Sequence, residues 1–347
     1  MSTPALAESR ARDHDGPPLL ELVDLVTAYR LRGGLGRSGA EVRAVAGVSL
    51  DVRAGETVGL VGESGCGKST IARTIVGLVR PSSGQVLFEG RDLATLPARE
   101  LRGLRQDVQL VFQDPYASLN PRMTVSALIK EAWRIHPGIV PREQWDEEVR
   151  GLLDRVGLRP EHADRYPHQF SGGQRQRISI ARALSVRPRL IVCDEAVSAL
   201  DVSVRAQILN LLEELRRDLG VAYLFISHDL GVVHHICDRV AVMYLGKIVE
   251  IGTKESVYLR PSHPYTQALL SAAPSLDDWR DGGRQEDKRE EIVLNGDVPS
   301  PLNPPSGCRF RTRCWRAQDR CRDEEPLLLD RGTGHPVACH FPETDPS

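Results

Sequence analysis

Gly62-Glu63-Ser64-Gly65-Cys66-Gly67-Lys68-Ser69 satisfies the pattern G-x-x-x-x-G-K-[ST] at every fixed position. The apolar run Thr57 to Val61 before it reads as a buried strand, and Ser69 to Leu78 after it reads as a helix, so the glycines fall on a strand-to-helix turn. There, successive backbone N–H groups can converge on an anion without interference from Cβ atoms, at a helix N-terminus carrying roughly half a positive charge. The stretch predicts ATP binding. Gly62, Ser64, Gly65, Cys66, Gly67 and Thr70 would surround the phosphates, Lys68 would hold the β- and γ-phosphates, and the Ser69 hydroxyl would face magnesium. A Gly-rich turn without a ligand is the plain alternative, and the flanking strand and helix argue against it.

The 347 residues exceed the size of one hydrophobic core, so a core with appendages or several domains is expected. With 45 basic and 47 acidic residues the net charge is -2, which gives no support to nucleic acid or an anionic membrane held by bulk electrostatics. No run of about 18 apolar residues occurs, and Met1 to Pro18 is polar and charged. The expectation is a chain that neither spans a membrane nor is exported. Seven cysteines without a paired framework, one of them inside the phosphate loop, suit a reducing cytosol.

Around the loop, Leu19 to Tyr29 and Ala44 to Val52 alternate as half-buried strands of an antiparallel edge sheet, separated by a Gly-rich, basic segment. Gly84 to Gly90 reads as a further strand. Pro115 to Arg187 is mostly helical, interrupted by prolines, and reads as an insertion. Strand signals return at Leu190 to Cys193 and Ala222 to Ile226, with a helix between them whose Val204, Ile208, Leu211 and Leu215 share a face; strand, helix, strand implies a parallel sheet. Arg239 to Tyr244 and Lys247 to Ile251 form a candidate hairpin. From Pro274 to Pro305 the composition shifts to charge, glycine and proline, a linker feeding a small Cys-bearing tail.

The residues that follow the loop select the chemistry. Leu190 to Asp194-Glu195 is a buried strand ending in two carboxylates, where Asp194 can reach magnesium and Glu195 can polarise the attacking water. Capping of the next helix is the structural alternative. Gln113, after the strand Val108 to Phe112, can ligate magnesium or the water, and His228, after Ala222 to Ile226, can donate to the γ-phosphate. Ser171-Gly172-Gly173-Gln174 opens the helix Arg175 to Leu184 and is a second anion-binding terminus. One nucleotide cannot easily use both termini of one subunit, whereas two subunits facing head to tail can.

Gly62 to Ser69, Gln113, Ser171 to Gln174, Asp194-Glu195, Ser198 to Asp201 and His228, in that order, resemble the nucleotide-binding subunit of ATP-binding cassette transporters over about residues 19 to 273. The resemblance implies an α/β P-loop NTPase (RecA-like) core with an antiparallel β subdomain, a helical subdomain at about 114–187 and a small Cys-containing C-terminal extension. The parts would run as a flexible N-terminus 1–18, the nucleotide-binding domain 19–273, a linker 274–305 and the extension 306–347. It also implies that Ser171, Gly172, Gly173 and Gln174 meet the γ-phosphate held by an opposite subunit and that Asp201 lets the two sites sense each other. Tyr29 would stack on adenine, with simple packing as its alternative. Ala196 stands where the family often has proline.

Phe112 to Arg122, His263 to Leu270 and Gly307 to Phe310 resemble oligopeptide and dipeptide importers, and Tyr116 with the segment Arg32 to Arg43 resembles the second of their two unequal ATPases. The implied partners are a homologous ATPase in a heterodimer, two transmembrane permease subunits and an external binding protein, at the cytoplasmic face of the plasma membrane. The implied activity is ATP hydrolysis coupled to peptide import, with nickel or another small solute, or a soluble non-transport ATPase, as alternatives. Cys308, Cys314, Cys321 and Cys339 lack the C-x-x-C pairing of common zinc sites. Resemblance to the extension of peptide-importer ATPases leaves a four-iron four-sulfur cluster, zinc or no metal open. The arginines among these cysteines read as a solvated basic face, and Cys66, Cys193 and Cys237 as small packed residues.

Overall fold

A computed structural model describes residues 16–30, 41–272 and 291–343. The expectations for the N-terminus, for most of Arg32 to Arg43 and for the first part of the linker lie outside these residues. Ten strands are described: β1 (Leu20–Arg30), β2 (Glu41–Val52), β3 (Thr57–Val61), β4 (Ser83–Phe88), β5 (Arg91–Asp92), β6 (Val108–Val111), β7 (Leu190–Asp194), β8 (Ala222–Ser227), β9 (Arg239–Tyr244) and β10 (Lys247–Thr253). The helices are α1 (Lys68–Ile75), α2 (Ala98–Asp107), α3 (Pro115–Ser118), α4 (Val125–Ile135), α5 (Trp145–Arg155), α6 (Gly172–Leu184), α7 (Val202–Leu219), α8 (Leu230–Ile236), α9 (Lys254–Leu259), α10 (Pro264–Ser271) and α11 (Arg320–Asp323).

Two sheets organise the chain. One has the order β2-β1-β4-β5 and is antiparallel throughout; the other has the order β10-β9-β3-β8-β7-β6, parallel except for the β9–β10 hairpin. Every residue of β3, β7 and β8 is buried, as expected of parallel strands covered on both faces. The period of two splits them cleanly. Val58, Leu60, Leu190, Val192, Leu224 and Ile226 join the core with α1 and the antiparallel sheet, whereas Ile191, Cys193, Tyr223 and Phe225 join the core with the helical insertion. Arg239 fastens the two sheets: its guanidinium meets Asp51 at 2.9 Å and Glu56 at 3.2 Å.

The insertion forms because its helices are amphipathic and properly ended. Thr124 accepts from the Ala127 N–H at the start of α4, and Val125, Leu128, Ile129 and Trp133 form its buried stripe. Trp133 and Trp145 pack as a tilted pair with centroids 5.7 Å apart, tying α4 to α5. Parallel registry has one consequence for function. Val61 pairs with Ser227, Ile226 with Asp194, and Val111 with Cys193, so the residues that follow β3, β6, β7 and β8 emerge at one end of the sheet.

The C-terminal extension is packed onto the cassette. Val337 bridges Glu250 of β10, the Ile251 N–H donates to Pro336 O at 3.1 Å, and the Ala338 N–H donates to Val249 O at 2.7 Å.

Candidate functional site

The phosphate loop occupies the turn from β3 to α1. Gly62 has φ +151° and Gly67 has φ +112°, and a Cβ at either would stand 2.1 Å from a backbone oxygen, of Met243 and Ala44 respectively. Only glycine fits there. A Cβ at Gly65 would meet nothing within 4 Å, so this side of the loop is open to a ligand. Lys68 is buried, and its Nζ donates to Gly62 O at 2.7 Å and to Glu63 O at 2.9 Å, which folds the ammonium back over the loop. The Tyr29 hydroxyl lies 3.5 Å from Thr70 Oγ1, placing this half-buried ring beside the first turn of α1.

Ser69 Oγ donates to Asp194 Oδ1 at 2.9 Å, joining α1 to the end of β7. Burial pushes the Asp194 carboxyl up, the Ser69 hydrogen bond opposes that rise, and the neighbouring Glu195 charge adds to it. A buried carboxylate and a hydroxyl side by side are the hard oxygen donors that magnesium prefers, so these two residues fit the ion. Glu195 stands next along the chain in a left-handed conformation, φ +49°. For a non-glycine residue this costs of order 1 kcal/mol. The backbone is held there by Glu195 N–H to Ile226 O at 3.0 Å and by Ser198, whose N–H and Oγ both donate to Glu195 O.

That strained turn aims the carboxylate at two partners. Gln113 Nε2 donates to Glu195 Oε2 at 2.9 Å, and His228 Nδ1 lies 3.5 Å from the same oxygen. The structure thus brings Gln113, Glu195 and His228 together across the ends of β6, β7 and β8. Gln113, expected on magnesium or the water, is engaged with Glu195. An amide donor on one carboxylate oxygen orients the group while leaving the other oxygen free to accept a proton.

Ser171 sits apart from this relay as the N-cap of α6. Its Oγ accepts from the Gln174 N–H at 3.3 Å and Gln174 Oε1 accepts from the Ser171 N–H at 3.1 Å, a reciprocal capping box that leaves Ser171 exposed. Gly173 is required by packing: a Cβ there would lie 2.3 Å from Val204 Cγ1 on α7. Asp201 is the exposed N-cap residue of α7. Arg205, which the sequence did not single out, connects this segment to the histidine turn, donating to Leu200 O and meeting Asp229 at 2.6 Å. Tyr116, about two-thirds exposed, lies under the Arg175 guanidinium at 3.6 Å from its ring centre.

The extension departs from expectation in two respects. Burial, then the neighbouring thiols, pushes Cys308 up to about 12, and Cys339 stands at about 11, so both are protonated thiols. Among the described residues no three His, Cys, Asp or Glu side chains stand where they could hold a metal ion, so the residues present do not fit an iron-sulfur cluster or zinc. The arginines are not one solvated face either. Arg313 is 8% exposed and bonded to Glu63, and Arg309 turns inward to donate to Leu245 O, because carboxylate and carbonyl acceptors on the cassette compensate the burial of both guanidiniums. Cys66, Cys193 and Cys237 are buried free thiols, as expected.

Residues 45–198 match the family model described as ABC transporter, and residues 249–321 match the one described as the oligopeptide/dipeptide transporter C-terminal region. The oligopeptide transport ATP-binding protein AppF of Bacillus subtilis is 53% identical over 325 residues, covering 93% of this chain and 97% of that protein. This chain belongs to the ABC transporter ATP-binding family. It is an ATPase of that family. The dipeptide transport ATP-binding protein DppF of Escherichia coli is 48% identical over 94% of this chain and 96% of its own. Among solved structures, the cassette MJ0796, a dimer bound to ADP and Pi in a post-hydrolysis state, is 27% identical with a TM-score of 0.59, over 68% of this chain and 98% of its own. The CbiO1 subunit of Clostridium perfringens, part of the ABC transporter complex CbiONQ, is 26% identical with a TM-score of 0.59, over 70% of this chain and 91% of its own.

Proposed function

We propose that the chain powers peptide import, hydrolysing ATP between two facing cassettes that drive a pair of permeases. The gathering of Ser69, Asp194, Gln113, Glu195 and His228 at the phosphate-loop end of one parallel sheet carries this reading. The peptide-transport names of the relatives and the match of residues 249–321 support the substrate class.

Each chain group then has a step. Lys68 exchanges its bonds to Gly62 O and Glu63 O for the β- and γ-phosphate oxygens, and the loop from Gly62 through Ser64, Gly65, Cys66 and Gly67 to Thr70 supplies N–H donors. Glu195, oriented by Gln113, accepts a proton from water as the water oxygen bonds to the γ-phosphorus and the bond to the ADP oxygen breaks. His228 donates to the γ-phosphate and senses its loss through Glu195. Magnesium held by Ser69 and Asp194 would neutralise charge on the phosphates. The serine-glycine helix start of the facing cassette closes the site, as Ser171, Gly172, Gly173 and Gln174 of this chain close the partner's; Asp201 passes its state to the second site, and Tyr29 supports adenine. No metal in the cysteine region enters the scheme.

ATP thereby favours the closed pair, and differential affinity for that state does the work. The proposed assembly is a heterodimer with a homologous ATPase, seated peripherally at the cytoplasmic face on two permease subunits fed by an external binding protein. No helix among the described residues is long and apolar enough to cross a membrane. The exposed Phe112 and Tyr116, next to Gln113, are the surface proposed to follow the permeases. The chain is proposed to divide into a cassette at 19–273, with its helical part at 114–187, and the extension at 306–347. Reconstitution with the permeases and binding protein, followed by labelled-peptide uptake, tests this. ATP-dependent peptide accumulation is expected; uptake of nickel or another solute in its place would overturn the substrate assignment.

A further inference from the structure

Arg313 lies 250 positions from Glu63 along the chain, yet its Nη1 donates to both carboxylate oxygens of Glu63, at 2.8 and 3.1 Å. Glu63 is the second residue of the phosphate loop. The same short segment of the extension reaches that loop by two further routes. Phe310 is fully buried and packs edge-on against Tyr244 and beside Tyr265, whose hydroxyl accepts from the Glu63 N–H at 2.8 Å. Arg309 donates to Leu245 O, and the next residue, Gly246, donates its N–H to Cys66 O at 2.8 Å. Side chain and backbone of Glu63, and the backbone of Cys66, are thus all braced from residues 309 to 313.

Simple attachment of the extension does not require these contacts. His335 Nε2 lies 2.6 Å from Glu250, both essentially fully buried, and Lys247 meets Glu325 at 2.6 Å. With the strand-like pairing to β10 these anchor the extension elsewhere. The ion pair at Glu63, one guanidinium nitrogen shared between both carboxylate oxygens, is placed to fix a loop whose glycines confer little stiffness of their own, and whose Glu63 carbonyl holds Lys68.

We propose that Arg313 is a positioning residue for the nucleotide: through Glu63, the C-terminal extension holds the phosphate loop in its binding shape and sets the affinity for ATP. This rests on the loop being the nucleotide site, which titration of MgATP into the unmodified full-length chain, with Lys68→Ala as the blank, checks separately. The test compares Arg313→Ala, Arg313→Lys, Glu63→Gln and the double variant Arg313→Ala/Glu63→Gln for MgATP Kd, KM, kcat and unfolding midpoint without nucleotide. Loss of this charge-assisted contact should raise Kd and KM about tenfold, or about 1.4 kcal/mol, in either single variant. The kcat should stay within about threefold, since no group at the transferring phosphate is removed.

The double variant should be no weaker than the singles because both remove the same charge-assisted contact, and Arg313→Lys, which also offers a single charged nitrogen, should recover part of the affinity. A Kd within about twofold of the unmodified chain, accompanied by a lower unfolding midpoint, would make the pair mere attachment and overturn the proposal. Losses that multiply in the double variant would do the same. Should Arg313→Ala fail to fold, Glu63→Gln and Arg313→Lys decide the matter alone. An unmodified chain that binds no MgATP would instead remove the nucleotide assignment.

Discussion

Replacing Glu195 by Gln separates binding from hydrolysis, because the carboxylate contacts neither the phosphate loop nor the Ser69–Asp194 pair. Its partners are Gln113 at 2.9 Å and His228 at 3.5 Å, so an amide of the same shape keeps an oxygen for Gln113 while losing the proton acceptor. Removal of a positioned general base slows a reaction by about 10² to 10⁴-fold, corresponding to about 2.7 to 5.4 kcal/mol of barrier. Binding should move the other way. Glu195 adds to the upward push on the buried Asp194 carboxyl, so neutralising it favours the charged form that a cation needs. Phosphate release at saturating MgATP, with nucleotide affinity measured in parallel, reports both. Turnover within about threefold of the unmodified chain would take the base role from Glu195, and an equal loss of affinity would show that the carboxylate serves binding instead.

Other outcomes follow from single contacts. Gly173→Ala drives a methyl to 2.3 Å from Val204 Cγ1, so α6 must shift at a cost of about 1 to 3 kcal/mol with loss of ATPase activity. Val204→Ala in the same chain should restore both, and a stable, fully active Gly173→Ala alone would contradict the packing. Trp133→Ala empties a 1% exposed site and strands Ser185 O, which the indole N–H contacts at 2.8 Å. Urea unfolding should show a loss of about 3 to 5 kcal/mol, and a loss under about 1 kcal/mol would remove Trp133 from that core.

Acid should also weaken the fold through His263. Burial lowers its imidazole to about 4, against the opposing pull of Glu250, so the unfolded chain binds the extra proton first as pH falls below 6.5. Stability is therefore complete above about pH 6.5 and declines progressively towards pH 4, by about 2 kcal/mol at pH 5. His263→Asn, which keeps a cap for the Tyr265 N–H, should flatten that slope between pH 7.5 and 5, and an unchanged slope would refute the assignment.

Much of the site was legible because its residues carry local signals. The loop glycines lie between a five-residue apolar strand and a helix start, and Asp194-Glu195 ends a run that no surface segment would have. Parallel registry then does what spacing alone cannot show, delivering Gln113 and His228 to the same carboxylate. Arg313, Tyr265 and Arg205 were invisible as site residues because each acts through a partner far along the chain, and an arginine among arginines has no periodicity to mark it. The segments around Tyr265 and Phe310 stood out by resemblance, but their destination at Glu63 is a tertiary fact. The left-handed backbone at Glu195 was equally hidden, since nothing local requires it of a glutamate. The cysteine spacing suggested a metal without fixing where the thiols would stand, and burial pushes Cys308 and Cys339 up.

The facing-cassette arrangement is tested most directly by an experimental structure of the assembled transporter carrying Glu195→Gln and MgATP. Each γ-phosphate should touch Lys68 of this chain together with the serine-glycine helix start of the opposing ATPase, while Ser171 of this chain caps the partner's nucleotide. A γ-phosphate enclosed by this chain alone, with Ser171 facing solvent, would contradict it.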